Sequence, residues 1–174
     1  MWDTVGALGI PLGPLAALNA LFRLRFHDVE LSSWVDNAFQ ALAIDARRRP
    51  FRPSIWRQQP HATNQRLEQE WFPGVHTNVG GGYADSGLSD IAFAWMIDRA
   101  KSSGLELQGS VAGILIRPEA TGELRNSMTL RYRIMVPYVR PVTGSNRAPS
   151  FERIDPATYE RKKMVNDYRP ENVP

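Results

Sequence analysis

The residues best placed to do chemistry lie in Trp71–Tyr83, WFPGVHTNVGGGY. Here His76 follows an apolar stretch that can extend as a strand and precedes Gly80, Gly81 and Gly82. Glycines let a backbone turn sharply and approach a neighbour closely, and a histidine delivered by such a turn can act as a general base. A glycine-rich turn with an incidental histidine explains the same spacing and is the commoner case for an isolated motif. The run is not G-x-G-x-x-G, and Tyr83 and Asp85 follow it instead of a helix start, so neither a dinucleotide loop nor a P-loop is indicated.

A base needs an acid to orient it, and two carboxylates stand out. Asp3, between Trp2 and Thr4-Val5-Gly6, reads as the end of a strand breaking into a loop, with a frayed terminal residue as the plain alternative. Asp45, in ALAIDARR, lies near the end of an expected helix, where pairing with Arg47, Arg48 or Arg49 accounts for it more simply than catalysis does. Asp85, Asp90 and Asp98 are explained as turn, first-turn and exposed helix residues. His61 sits in a polar loop, and His27 has Asp28 as a local partner. No H-x-H or H-x-x-x-H spacing links the histidines, so no zinc site is expected. No G-x-S-x-G nucleophile elbow is present either. Ser110 has Gly109 and Gly113 at the wrong offsets, and Ser89 lacks the trailing glycine, so any triad within this chain is incomplete.

The elements that must position these residues read as alternating helices and isolated strands. Helices are expected over residues 14–24 and 33–48, the second because Val35, Phe39, Leu42 and Ala43 are spaced to share one face before Pro50 and Pro53. Leu67 to Phe72 reads as a strand. A further helix opens at Ser86 or Ser89, places Leu88, Ala92, Trp95, Met96 and Arg99 on one side, and closes at Gly104. Residues 111–116 and 130–139 read as short β-rich runs, the latter interrupted by Pro137. The tail from Pro141 reads as a surface wrap with a helical piece around Thr158 to Met164. The alternation suggests α/β, with too few strands for a complete sheet.

Composition narrows the classes. The chain has 174 residues, 43% of them hydrophobic and 22% charged, which suits roughly one globular domain. Lys and Arg number 21 against 18 Asp and Glu, without a basic tail or stripe, so no nucleic-acid partner is expected. Zero cysteines exclude disulfides, thiolate metal sites and a cysteine nucleophile. Residues 4–22 carry no charge, yet Asp3 replaces the basic leader of a signal peptide, and Gly6, Gly9, Pro11, Gly13 and Pro14 are poor chemistry for a spanning helix. Neither a signal peptide nor a transmembrane segment is expected.

Four segments together carry a resemblance: WDTVGALGIP (Trp2–Pro11), ALAIDARRRPFRPSIW (Ala41–Trp56), EWFPGVHTNVGGGYADSGLSDIAFAWMIDRA (Glu70–Ala100) and YRPENVP (Tyr168–Pro174). In this order they resemble the bacterial family of α/β-hydrolase domains that includes type VI secretion phospholipase effectors. Members of that family carry a G-x-S-R-G-type serine upstream of the W-D-T-V segment, then the aspartate, then the histidine. The resemblance implies the C-terminal portion of an α/β-hydrolase-like fold over residues 1–174, an incomplete sheet with flanking helices, with 141–174 as a surface-wrapping tail. It implies His76 as general base, Asp3 as its orienting acid, Asp45 as the alternative acid because I-D-x-R-R is also a family pattern, and Gly80, Gly81 and Gly82 as the turn at the site.

Two departures stand out: Asn78 replaces an acid found in many relatives, and the chain starts inside what resembles a core strand, without the nucleophile or the oxyanion-hole loop. The expectation is therefore a portion of a serine esterase or phospholipase, inactive alone and needing no cofactor or metal. Its expected partner is the N-terminal half of the hydrolase or another chain, with a lipid or ester substrate in the complete protein. The expected location is the cytoplasm of the producing bacterium, or outside it after secretion as an effector. The alternative is a non-catalytic module that pairs its exposed strand edge with a partner.

Overall fold

A parallel sheet organises the computed structural model, which describes residues 1–5, 29–107, 116–128 and 137–173. Strands β1 (Asn37–Ala43), β2 (Arg66–Phe72) and β3 (Glu152–Ile154) lie in the order β1-β2-β3. Ala43 pairs with Phe72, and Trp71 with Ile154, all in parallel register. On the outer side of β1 the amino-terminal residues add a parallel bridge between Trp2 and Ala41. There the Asp3 N–H donates to the Ala41 carbonyl at 2.6 Å, and the Ala41 N–H to the Met1 carbonyl at 3.0 Å.

β1 corrects the helix expected over residues 33–48. NAFQALA is rich in good helix formers, but the segment is bonded along both edges and covered on both faces, so Gln40, Ala41, Leu42 and Ala43 are all fully buried. A strand buried on both faces shows a continuous apolar run without period-two alternation, and such a run mimics one face of a helix. Tertiary context overrides intrinsic propensity here. After Ala43 the chain bends at Ile44 and Asp45 and makes a 3₁₀ turn at Arg49–Phe51.

The strand expected over Leu67 to Phe72 is β2. Helix α1 (His76–Gly80) follows it, and α2 (Gly87–Ser102) matches the expected helix that opens at Ser86 and closes before Gly104. One face of the sheet, through Ala41, Ala43 and Phe72, packs with Val79 of α1 and Ala92 of α2, with Trp95 and Met96 beside them. The other face, through Leu42, Ile44 and Trp71, packs with Val173, Val142 and Ile154 from the carboxyl-terminal segment. That segment does more than wrap the surface: it lays β3 on the sheet, continues into α3 (Pro156–Met164) behind the Asp155 N-cap, and buries Tyr168 and Val173. Asp155 accepts from the Ala157 N–H at 2.8 Å, and Pro156 stands at the first helical position. The helix expected over 14–24, the run 111–115 and residues 130–136 lie outside the described residues, as do His27 and Ser110. No helix among the described residues is long and apolar enough to cross a membrane.

Candidate active site

Because the strands are parallel, their carboxyl ends share one edge, where open α/β sheets place their ligand crevices. Asp3 ends the amino-terminal bridge, Asp45 lies just past β1, and His76 opens α1 just past β2. The Pro73-Gly74-Val75 turn delivers the histidine. Gly74 has φ 128°, and a Cβ there would lie 2.5 Å from the Asn78 Cβ, so the turn requires glycine on both counts. Gly80 closes α1, while Gly81 and Gly82 lead away from it with φ 85° and 117°. Asn78 is buried, accepts from the Val75 N–H at 3.3 Å and donates to the Glu123 carbonyl at 2.9 Å. An ionised acid in its place would have no donor for that carbonyl.

Of the two candidate acids, it is Asp3 that meets the imidazole. The His76 Nδ1 lies 2.7 Å from the Asp3 Oδ2, with the His76 side chain 34% exposed and the Asp3 side chain 0% exposed. The Phe51 ring stands beside the imidazole, 6.1 Å between centroids. Asp3 also accepts from the Ala43 N–H at 3.0 Å and from both Arg140 guanidinium ends, Nη1 to Oδ1 at 2.5 Å and Nη2 to Oδ2 at 3.0 Å. Its φ of 40° is a left-handed conformation that costs a non-glycine residue energy, and these bonds hold it there. Burial by itself would raise the carboxyl's proton affinity, but the His76 and Arg140 hydrogen bonds, the Arg140 charge and the Ala43 N–H outweigh it and hold Asp3 below the usual carboxylate range.

Asp45 has another task. It accepts from the Gly74 N–H at 2.7 Å and the Tyr168 hydroxyl at 3.0 Å, and its own N–H donates to the Gly74 carbonyl at 2.9 Å. It thus clamps the turn that delivers His76. Burial pushes its carboxyl up, and burial with the adjacent Asp45 pushes the Tyr168 phenol up. His61 is exposed in a turn between the 3₁₀ turn and β2, away from this cluster in the fold. Ser89 lies in the first turn of α2, its hydroxyl donating to the Ser86 carbonyl at 2.9 Å.

Two clefts adjoin the site. One of about 460 Å³ is lined by Val75, Asp45, Tyr168 and Met128 among others, and one of about 380 Å³ by Trp2, Val79, Gly80, Gly81 and Phe93. Among the described residues, no three His, Asp or Glu side chains are grouped to hold a metal. Arg140, Phe51 and Tyr168 were not singled out from sequence. The available signal for Arg140 was a lone cation in the otherwise uncharged PYVRPV, which demands a partner if buried.

A family model described as T6SS, phospholipase effector Tle1-like, catalytic domain matches residues 1–99, the stretch that holds Asp3, Asp45 and His76. No curated protein and no solved structure matches the chain.

Proposed function

Since the chain belongs to the T6SS phospholipase effector Tle1-like catalytic-domain family, we propose that it supplies the base and orienting acid of an α/β-hydrolase-type serine esterase acting on the acyl esters of phospholipids. The observation that supports this reading most is the 2.7 Å contact between the half-exposed His76 and the buried Asp3 at the carboxyl ends of parallel strands. An ionised, buried acid bonded to one ring nitrogen of an accessible imidazole is the base half of a triad.

On this reading the nucleophile and the oxyanion donors come from polypeptide outside these 174 residues, a reading supported for the nucleophile by the lack of a G-x-S-x-G elbow within them. With that partner segment in place, the serine Oγ attacks the ester carbonyl carbon as its proton passes to the His76 Nε2. Asp3 stabilises the imidazolium that forms. The proton then goes from Nε2 to the departing alcohol oxygen, leaving an acyl-serine. Water then attacks the acyl carbon as its proton passes to Nε2, and that proton returns to the serine Oγ as the Oγ–acyl bond breaks, releasing the carboxylic acid. The effector family to which the chain belongs fits a protein secreted to reach its lipid.

The test is complementation. Adding the elbow-bearing segment, fused or in trans, should give hydrolysis of phospholipid and simple acyl esters, and His76→Ala should lower kcat at least about 10³-fold. Activity that survives His76→Ala, or a complemented protein that binds its partner segment but hydrolyses no ester, would turn the assignment toward a non-catalytic pairing module.

A further inference from the structure

Arg140 comes from outside the stretch matched by the family model, yet it makes the densest set of bonds at the site. It is 1% exposed. Besides the two ends that grip Asp3, its Nη1 donates to the Ala43 carbonyl and its Nη2 to the Phe51 carbonyl, both at 2.7 Å. Asn172 fixes its backbone, donating to the Arg140 carbonyl at 3.0 Å and to the Ile44 carbonyl at 3.3 Å. One guanidinium therefore ties together the acid, the end of β1, and the turn whose Phe51 ring lies against the imidazole.

We infer that Arg140 is a positioning residue that sets the tautomer of His76: by filling both oxygens of Asp3 with donors it keeps that group a pure acceptor, so the neutral imidazole carries its proton on Nδ1 and leaves Nε2 free. The inference rests on the reading of His76 as the base. Oδ1 receives Ala43 and Arg140, and Oδ2 receives His76 and Arg140. A proton on either oxygen would point at an N–H. Remove the guanidinium and Asp3 loses two of its four donors and its neighbouring positive charge, while burial continues to favour its protonated form. A protonated Asp3 would donate to Nδ1, moving the ring proton to Nε2, where it blocks proton abstraction from the nucleophile. A buried ion pair that merely holds the fold together would leave the tautomer alone.

The chain as it stands suffices for the test, which needs no turnover. With the histidines labelled by ¹⁵N, the neutral His76 ring should show Nδ1 protonated and Nε2 unprotonated. In Arg140→Met the population should pass to mostly Nε2–H, with the backbone amide spectrum otherwise native. A native-like Arg140→Met that keeps the Nδ1–H form overturns the inference. If that variant does not fold, the ¹³Cγ shift of Asp3 in the unaltered chain decides. An Asp3 still ionised after the exposed aspartates have taken up protons supports the role, and one that protonates with them or before them removes it. Failure here alongside a catalytically essential His76 would remove Arg140 and spare the base, whereas a tautomer switch alongside a dispensable His76 would do the reverse.

Discussion

Asp3 and Asp45 stand at the ends of neighbouring parallel segments, both beneath the surface, yet their environments drive them in opposite directions. Around Asp3 are a cation, an imidazole and a backbone N–H distributed over both oxygens. Around Asp45 are two neutral donors on one oxygen, the Gly74 N–H and the Tyr168 hydroxyl. Burial penalises both charges; the His76 and Arg140 bonds with the Arg140 charge overcome it at Asp3, while the Gly74 and Tyr168 bonds with the charges of Arg161 and Arg47 do not at Asp45. An acid able to stabilise an imidazolium must stay ionised, so donor charge separates the acid suited to catalysis from the acid suited to bracing a turn.

Replacing each acid by its amide should expose this difference most strongly. Asp3→Asn gives four donors one oxygen and an NH₂ group, so at least one N–H must face another and the ring loses its acceptor. In the complemented enzyme kcat should fall about 10³- to 10⁴-fold, in line with loss of an orienting aspartate elsewhere. Asp45→Asn keeps one oxygen for both of its donors, so kcat should change by less than about fivefold, a cost of under about 1 kcal/mol. Equal losses in the two variants would erase the distinction between the acids.

The sequence made the two sides of this comparison unequally visible. Trp2-Asp3-Thr4-Val5 and the glycines around His76 are local patterns, so the two residues that meet at 2.7 Å could be singled out beforehand, though the roles of base and acid came only from the family resemblance. β2 and α2 were legible because their apolar spacing fits one period each and proline, serine or glycine marks their ends. β1 was not, because a strand covered on both faces carries no alternation, and its Ala and Leu content favours a helix until the flanking strands are known. Arg140 was also hidden, since its partners Asp3, Ala43 and Phe51 lie 137, 97 and 89 residues away and no local spacing encodes such a contact.

A third acid extends the contrast beyond the site. Glu70, on β2, is 6% exposed and has its register partner Arg153 on β3. Burial, reinforced by the Asp155 carboxylate, raises it to about 7, against the opposing pull of Arg153 and Arg99. Because its folded value is the higher one, its contribution to stability is complete below the unfolded value near 4.5 and is lost as pH rises through about 7. Glu70→Gln should remove about 2 kcal/mol of that pH dependence, seen as a flatter unfolding free energy between pH 5 and 8 in the variant than in the unaltered chain. Parallel curves would mean that Arg153 and Arg99 compensate Glu70 as fully as Arg140 compensates Asp3.

The smallest effect tests the neutral side of the comparison. Tyr168→Phe removes one of the two donors on Asp45 and little buried volume, and it leaves the Gly74 N–H in place. If Asp45 is held by neutral donors and tends toward its protonated form, losing one hydroxyl should cost about 1 kcal/mol, the usual net value of a single hydrogen bond. The loss should be larger above neutral pH than near pH 4, because only the ionised carboxyl needs the missing donor. His76 should keep its contact with Asp3, since the turn retains its Gly74 bonds to Asp45, and kcat of the complemented enzyme should stay within about twofold, under about 0.5 kcal/mol. A loss above about 3 kcal/mol would instead mark Asp45 as a charge that the phenol keeps ionised, as expected when a buried charge loses its partner. Asp45 and Asp3 would then differ in what they touch and not in their protonation.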